Sequence, residues 1–289
     1  MNKTVLRAFS LASAAVLLVT GMTGCTQQME SAEIRQAYET ALQNALDADV
    51  YFWKETKTQG SATDTCQVNV YAGQGDDYQA LRDENGAYAE YKISVNETHS
   101  QPESTLQIYC GLSPSANEGE EAKDYLLTQV TGEGGAITAL TRRPMTAQDY
   151  YQSDEFAPYL LSSRLAELTE LTVDDMDFSI SDAVAEQKVN VVNLIFGVKE
   201  EYLARYEKKH GQKSLFDGAK KVSIEIAYDR IAHVIVYTDE QVEDSGLSVE
   251  VERYKFEVVY LGPKFDIPAY DGKVKDGATG KEMERTEAK

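Results

Sequence analysis

The chain has 289 residues, of which 42% are hydrophobic, and its formal net charge at pH 7 is −20. This length and apolar content are enough for one large or two small domains with a buried core. A surface this acidic repels phosphate backbones and anionic head groups, which argues against nucleic-acid binding and against membrane attachment through a basic patch.

The first 25 residues have the layout of an export signal. Lys3 and Arg7 give a positively charged start, residues 8–19 are mainly apolar or small, and Gly24 precedes Cys25. The apolar stretch is too short for an ordinary membrane-spanning helix, and the arrangement is typical of a signal peptide. The sequence therefore predicts that the protein leaves the cytoplasm.

The Gly-Cys ending resembles the lipobox of bacterial lipoproteins, although Met22 stands where that family usually has Leu. The resemblance implies that residues 1–24 are removed and that Cys25 is lipidated, with acyl chains such as palmitate. Residues 25–31 would then tether the protein to the extracytoplasmic face of the cell membrane. Two acyl chains, as in the diacylglyceryl group of that family, anchor a protein stably. The alternative that stays open is a plain secretory signal that ends near a Cys.

Cys66 and Cys110 are the other two cysteines of the chain. An even pair in an exported protein predicts a disulfide. The sequence leaves a second alternative open, in which both are buried thiols. A bridge requires the two Cα atoms to lie within about 7 Å of each other.

The first half of the chain begins with one helix and continues with strands. Apolar residues at helical spacing predict a helix over residues 32–48, capped by Ser31. Asn85-Gly86, between two alternating runs, predicts a hairpin turn. The strands predicted by alternation are residues 50–56, 65–72, 78–82, 87–95, 105–112, 125–130 and 137–142.

The second half mixes helices and strands. Residues 146–168 predict a helix in two pieces that is broken around Pro158, and residues 198–209 predict a helix that ends at Gly211. The predicted strands are residues 178–180, 189–196, 222–228, 231–238 and 247–261. In the last of these the alternation changes phase near Arg253, which predicts a bulge or a bend.

Residues 271–289 are rich in Gly, Lys and Glu. This composition, with no aromatic residue after Tyr270, predicts a disordered tail.

The order of these elements predicts an α+β fold, in which a large antiparallel sheet has helices packed on one face. This order resembles the lipoprotein-sorting fold. It runs from a lipidated Cys through a helix and the aromatic strand Tyr51-Phe52-Trp53-Lys54 to a closing hairpin. That family includes the carrier and the receptor that move lipoproteins to the outer membrane. The resemblance covers residues 31–270. It implies a half-barrel domain over residues 32–270, in which the sheet curves into an unclosed β-barrel with helices on its concave face.

Sequence motifs for catalysis and metal binding are absent. Neither His-Glu-x-x-His nor Gly-x-Ser-x-Gly occurs, and the three histidines, His99, His210 and His233, lie far apart in sequence. His99 is predicted in a polar loop. The sequence therefore predicts no metal site, no cofactor and no enzymatic activity.

Aromatic residues are concentrated in the first strands. Such residues either pack a core or line a concave face that holds an apolar ligand. The candidate ligand wall consists of Tyr51, Trp53, Tyr71, Tyr88 and Tyr91. The sequence thus predicts a membrane-anchored lipoprotein that binds lipid or another apolar or amphipathic ligand. Two alternatives stay open, a structural lipoprotein that binds another envelope protein and a hydrolase of wall polymer with paired carboxyl groups.

Overall fold

The computed structural model describes residues 27–48, 50–59, 62–72, 91–100, 103–113, 123–241, 247–260, 274–276 and 282–283. The predicted signal peptide, Cys25, Tyr88 and the turn predicted at Asn85-Gly86 lie outside these residues.

The described residues form five α-helices and fifteen strands in one sheet. The helices are α1 (Ser31–Leu46), α2 (Ala147–Tyr151), α3 (Leu161–Arg164), α4 (Ala166–Glu170) and α5 (Glu200–His210), with 3-10 turns at Glu133–Gly135, Ala157–Tyr159 and Val173–Asp175. The strands are β1 (Gln27–Gln28), β2 (Val50–Gln59), β3 (Ala62–Ala72), β4 (Tyr91–Ser100), β5 (Glu103–Ser113), β6 (Lys123–Thr131), β7 (Ile137–Pro144), β8 (Met176–Asp177), β9 (Val184–Lys188), β10 (Val191–Val198), β11 (Lys221–Ala227), β12 (Arg230–Gln241), β13 (Ser248–Val259), β14 (Val274–Asp276) and β15 (Glu282–Met283).

The sheet is open. Its strand order is β1-β9-β10-β11-β12-β13-β2-β3-β4-β5-β6-β7-β14-β15, with β8 paired to β10, so the path has two ends. Among the described pairs, β7–β14 is parallel and the others are antiparallel. The predicted α+β fold, with a large antiparallel sheet that does not close into a barrel, is confirmed.

One face of the sheet, which we call the inner face, carries the core. Alternate residues of the strands are buried there, as period-two patterning requires. They include Tyr51, Trp53, Val68, Val70, Val95, Ile108, Leu194, Phe196, Val222, Ile224, Val234, Val236, Phe256 and Val258. The helices pack against this face through Ile34, Tyr38 and Ala41 of α1 and the apolar residues of α3 and α4. The Tyr38 hydroxyl donates to the Leu168 carbonyl oxygen at 2.7 Å, which joins α1 to α4.

The bulge predicted near Arg253 is confirmed. Val236 of β12 pairs with Tyr254, whereas its neighbour Tyr237 pairs with Glu252, so Arg253 is the extra residue of β13. The Arg253 guanidinium Nη1 donates to the Asp217 carbonyl oxygen at 2.8 Å. The bulge thus fixes the loop that follows α5.

The N-terminal residues differ from the predicted tether. Gln27 and Gln28 pair with Gln187 and Glu186 of β9, and Met29 is buried, so the sheet begins two residues after Cys25. The cap of α1 is Glu30 rather than Ser31, because Glu33 can reach back and accept the Glu30 N–H at 2.9 Å.

The middle segment also differs from its prediction. Instead of two helical pieces it forms three short helices and a 3-10 turn, because the Ser153 hydroxyl bonds to the Tyr150 carbonyl and to the Phe156 N–H and turns the chain. The strand predicted at residues 178–180 lies instead at Met176–Asp177. It ends there because the Asp177 carboxylate accepts the Ser179 N–H at 2.9 Å.

The region predicted as a disordered tail contains two described strands. Lys275 of β14 pairs with Thr141 of β7, and Val274 pairs with Met283 of β15. The edge of β7 offers unpaired backbone groups that these short strands can use. For the remaining residues of 271–289, which lie outside the described residues, disorder stays a prediction.

Asp175 connects the 3-10 turn Val173–Asp175 to α5. Its side chain accepts hydrogen bonds from the Thr172 N–H at 3.0 Å and the Thr172 hydroxyl at 2.7 Å, and Arg205 Nη2 lies 3.0 and 2.9 Å from its two oxygens. Burial raises the pKa of this carboxyl, but the bonds from Thr172 and Arg205 outweigh it, so the pKa lies below its ordinary value.

We predict that Asp175→Asn lowers the free energy of unfolding by about 1 to 3 kcal/mol at pH 7, because it removes charge-assisted hydrogen bonds. The folded-state pKa of Asp175 is depressed, so its stabilisation is present above the unfolded pKa near ~3.9 and is lost as the pH falls through the folded value. Urea unfolding at pH 7 and at acidic pH should show the difference between variant and wild type shrinking with acid. Asp174→Asn is the control. It removes the exposed Asp174–Arg35 ion pair, and this should lower the free energy of unfolding by less than about 1 kcal/mol.

Candidate functional site

One row of inner-face residues crosses six strands, from β2 to β7. Strand register places its members opposite one another in the order Trp53, Val68, Glu97, Leu106, Val130 and Ala139. Trp53 and Val68 are completely buried, Leu106 and Val130 are half-buried, and Ala139 is exposed. The cover over the inner face therefore ends along this row. We call Leu106, Val130 and Ala139 the open strip.

The covered half of the row lies under residues 153–165, which we call the strap. The Tyr51 hydroxyl donates to the Tyr159 carbonyl oxygen at 3.0 Å, and the Trp53 Nε1 donates to the same oxygen at 3.3 Å. The Arg164 guanidinium lies 4.5 Å from the centre of the Trp53 ring. The strap thus holds both aromatic side chains by their polar ends as well as by packing.

Three side chains that could ligate a metal meet beside the open strip. Cys66 of β3 lies opposite His99 of β4, and Glu97 precedes His99 by two residues on the same face. The Cys66 thiol donates to Glu97 Oε1 at 3.8 Å, and His99 Nε2 lies 2.6 Å from the same oxygen. Their ligand atoms all lie within 4.8 Å of one another. We call these three residues the trio.

Tyr159 of the strap also contacts the trio. Its hydroxyl donates to Glu97 Oε2 at 2.7 Å. The other carboxylate oxygen, Oε1, is therefore the one that faces Cys66 and His99. Burial, followed by the bond to Glu97, raises the pKa of the Tyr159 hydroxyl above its ordinary value, so this group remains a donor at neutral pH.

The chemistry of the Cys66 thiol follows from its surroundings. Burial, with the negative charge of Glu97, raises the pKa of Cys66 to about 12. The thiol is therefore protonated at neutral pH and is a poor nucleophile. Sulfur, nitrogen and carboxylate oxygen donors together are a ligand set that suits a borderline-soft divalent metal such as Zn²⁺.

The structure places two residues of the predicted ligand wall in the core. Trp53 is 0% exposed and Tyr51 is 2% exposed, so both lie beneath the strap rather than on an open surface. Tyr71 and Tyr91 lie on β3 and β4, whereas Tyr88 and Cys25 lie outside the described residues.

Cys66 and Cys110 do not form a disulfide with each other. Cys66 pairs with His99 of β4 and Cys110 pairs with Ile93 of β4. The two cysteines thus lie on β3 and β5, the strands that flank β4, and their partners on β4 are six residues apart, or about 20 Å. Of the two alternatives that the sequence left open, the disulfide is wrong for this pair, because register keeps the Cα atoms far beyond bridging distance.

The trio is a site that sequence reasoning missed. His99 was expected in a loop, but β4 continues to Ser100 and carries His99 onto the inner face. The other two histidines have separate partners. His233 lies on the outer face between Glu225 and Glu257, at 3.2 and 3.6 Å, and His210 pairs with Glu170 at 3.0 Å. Residues 96–100 are all polar, so no alternation in the sequence marks Glu97 and His99 as inner-face residues, and only the pairing of β4 with β3 reveals the site.

Helices of the described residues are all too short or too polar to cross a membrane.

Comparison with known proteins gives little further information. No protein-family model matches the chain, and no curated protein matches it. Among solved structures, a DUF1329 family protein from Desulfovibrio piger is similar over 82% of this chain and 95% of its own, with 8% sequence identity and a TM-score of 0.22. A likeness this weak carries no argument about family or function.

Proposed function

We propose that the protein is a membrane-anchored extracytoplasmic lipoprotein whose half-barrel binds an apolar or amphipathic ligand on the open strip. The export signal and the Gly24-Cys25 ending support the anchor, and the element order shared with the lipoprotein-sorting fold supports the ligand. No transfer activity or catalytic step is part of this proposal.

The observation that carries the ligand proposal is the exposure of apolar inner-face residues beside polar ones. Leu106 and Val130 lie in register with the completely buried Trp53 and Val68, yet both are only half-buried, and Ala139 next to them is exposed. The carboxylate of Glu97 borders them in the same row. An apolar surface with a few polar groups at its margin suits a molecule with an apolar tail and a polar head.

The connection between Cys25 and the sheet is short. Gln27 already pairs with Gln187 of β9, and the two residue steps between Cys25 and Gln27 can span at most about 8 Å. A lipid on Cys25 would therefore hold the domain directly against the membrane rather than on a long tether.

A second candidate function, binding of another envelope protein, is supported by the cover over the aromatic side chains. Trp53 and Tyr51, which were expected to line a ligand cavity, are already covered by the strap. A half-barrel filled by its own side chains favours a lipoprotein that binds another envelope protein, with the open strip as part of the contact surface.

We predict that Cys25→Ser releases the protein from membranes and abolishes labelling by radioactive palmitate, because the variant lacks the acylated thiol. Fractionation of cells and labelling in the same strain would measure both effects. Cys110→Ser is the matched control and should remain in the membrane fraction with full labelling. Wild-type membrane retention of the Cys25→Ser protein would contradict the anchor.

We also predict that Val130→Glu weakens binding of an apolar fluorescent probe by about tenfold or more, because it places a charge on the open strip. The measurement is a saturation titration of the released Cys25→Ser protein, followed by displacement with lipid. Leu127→Glu, on the opposite face of the same strand, is the control and should bind like the parent. Absence of saturable binding in the parent would favour the interaction function, and equal loss in both variants would exclude the open strip as the site.

A further inference from the structure

The geometry points to a metal site that the ligand proposal does not require. We infer that Cys66, Glu97 and His99 bind a borderline-soft divalent cation such as Zn²⁺ through Sγ, a carboxylate oxygen and Nε2, and that the Cys66 thiol releases its proton to solvent as the cation binds.

The positions of the three donors are close to those that a tetrahedral ion needs. Zn²⁺ ligand bonds of about 2.0 to 2.3 Å place neighbouring donors about 3.3 to 3.8 Å apart. Cys66 Sγ and Glu97 Oε1 are 3.8 Å apart, within this range. His99 Nε2 is 2.6 Å from Glu97 Oε1 and must move away by about 1 Å. Rotation of the half-buried His99 ring can supply this movement, while the β3–β4 ladder keeps the backbones in place.

Tyr159 supplies the outer hydrogen bond that metal-binding carboxylates normally have. Its hydroxyl donates to Glu97 Oε2 at 2.7 Å, which leaves Oε1 for the cation. Removing such a partner typically weakens metal binding by about 10- to 100-fold. Tyr159 is thus a positioning residue for the proposed site.

The charges around the trio favour a cation. Glu55 faces the trio from β2 and is already paired, with Lys57 at 2.9 Å and Arg164 at 3.8 Å. Within the described part of the chain, Glu97 has no Lys or Arg ion-pair partner and contacts His99, Cys66 and Tyr159. A cation would neutralise this carboxylate, and three protein ligands would leave one tetrahedral position for water or another donor.

The test is a titration of the purified full chain with Co²⁺, followed by competition with Zn²⁺. Tetrahedral Co²⁺ bound to a thiolate gives visible d–d bands and a near-ultraviolet sulfur-to-metal band, which Zn²⁺ should abolish. We expect one ion per chain, and a rise in melting temperature with Zn²⁺.

Substitutions test whether the trio, rather than other side chains, binds the ion. Cys66→Ser should abolish the sulfur band, and His99→Gln should weaken binding at least tenfold. Tyr159→Phe should weaken it while keeping the spectrum. Cys110→Ser and His233→Gln are matched controls and should bind like wild type. Failure of the wild type to bind at micromolar Co²⁺ and Zn²⁺ would overturn the inference, as would an unchanged sulfur band in Cys66→Ser. If Cys66→Ser does not fold, the deciding measurement is the sulfur-to-metal band of folded His99→Gln, and loss of that band supports the metal site.

An independent observation, at the edge of the sheet near β1, carries a second inference. We propose that the hairpin tips at residues 188–191 and 227–230 enter the membrane interface. This inference rests on the proposed lipid anchor.

The two tips present large apolar side chains to solvent in a fixed arrangement. Val189 is 85% exposed and Tyr228 is 75% exposed. The Tyr228 N–H donates to the Asn190 carbonyl oxygen at 2.9 Å, which joins the tips. Asn44 Nδ2 of α1 donates to the Asp229 carbonyl oxygen at 2.8 Å and holds them to the domain.

The backbone of the tips is unfavourable for one residue that it carries, Tyr228. Among described residues other than Gly, positive φ angles occur at Asn190 (59°), Tyr228 (51°) and Asp229 (57°), all in these two tips. Asn or Gly suits such turns, and Tyr does not. The strain is what a functional side chain at Tyr228 would require.

The tips lie beside the predicted anchor. β1 runs antiparallel to β9, so Gln27, the described residue nearest to Cys25 in sequence, lies at the Lys188 end of β9, where the tip with Val189 begins. Tyr is enriched at membrane interfaces because one end of its ring is apolar and the other polar. Lys188 and Arg230 flank the tips, but Lys188 pairs with Glu186 at 3.2 Å and the Arg230 guanidinium lies 4.8 Å from the centre of the Tyr260 ring, so the inference rests on Val189 and Tyr228.

The test uses the lipidated protein that begins at Cys25, in phosphatidylcholine vesicles with brominated acyl chains. Tyr228→Trp should be quenched by the bromine. The control is Leu247→Trp, at the far end of β12 and β13, about 35 to 40 Å away by strand length, and it should not be quenched. The native Trp53 is buried and contributes equally to both. Equal quenching of the two variants, or none in vesicle-bound protein, overturns the tip inference alone. Protein that does not sediment with vesicles overturns the anchor and the tip inference together.

Discussion

The pairing of β2 with β13 is the contact on which the rest of the sheet depends. It joins strands about 200 residues apart in sequence, with Trp53 opposite Val258 and Lys57 opposite Tyr254. The N-terminal meander β2–β7 and the strands β9–β13 would otherwise be two separate sheets, each with one uncovered face. The Trp53 and Phe256 rings, 5.9 Å apart, fill the junction on the inner face. Because register is fixed there, the same face is apolar in both halves and one set of helices can cover it.

How far that cover extends decides what the inner face can do. α1 and the short helices of the middle segment cover the β10–β13 half, and α2 packs against β4, β5 and β6, where Ile108 and Leu126 are also buried. The strap ends at the row of Trp53, so Leu106 and Val130 are only half-buried and Ala139 is exposed. Apolar surface in contact with water has a cost, so the proposed ligand or partner protein would gain free energy by covering this strip. The strap itself is held by hydrogen bonds from Tyr51 and Trp53 to a single carbonyl oxygen, that of Tyr159.

Tyr159 connects the packing of the core to the chemistry of the trio. Its carbonyl accepts from the aromatic pair, and its hydroxyl donates to Glu97. Any movement of the strap would therefore change both the cover over Trp53 and the orientation of the Glu97 carboxylate. A ligand on the open strip and a cation at the trio would be neighbours, so binding of either one could influence the other through this residue.

The sequence by itself determined the local features of the protein. Alternation placed most of the strands, Gly211 ended α5 with φ 68°, and the phase change at Arg253 located the bulge, because each depends on residues adjacent in the chain. The tertiary structure decided which distant residues meet. Glu97 and His99 are 31 and 33 positions from Cys66, and only the β3–β4 register brings the three together. Whether Trp53 lines a cavity or fills a core likewise depends on the strap, which folds over it from 100 residues away. Local patterns fix the face on which a side chain lies, but strand register and long-range cover fix its neighbours.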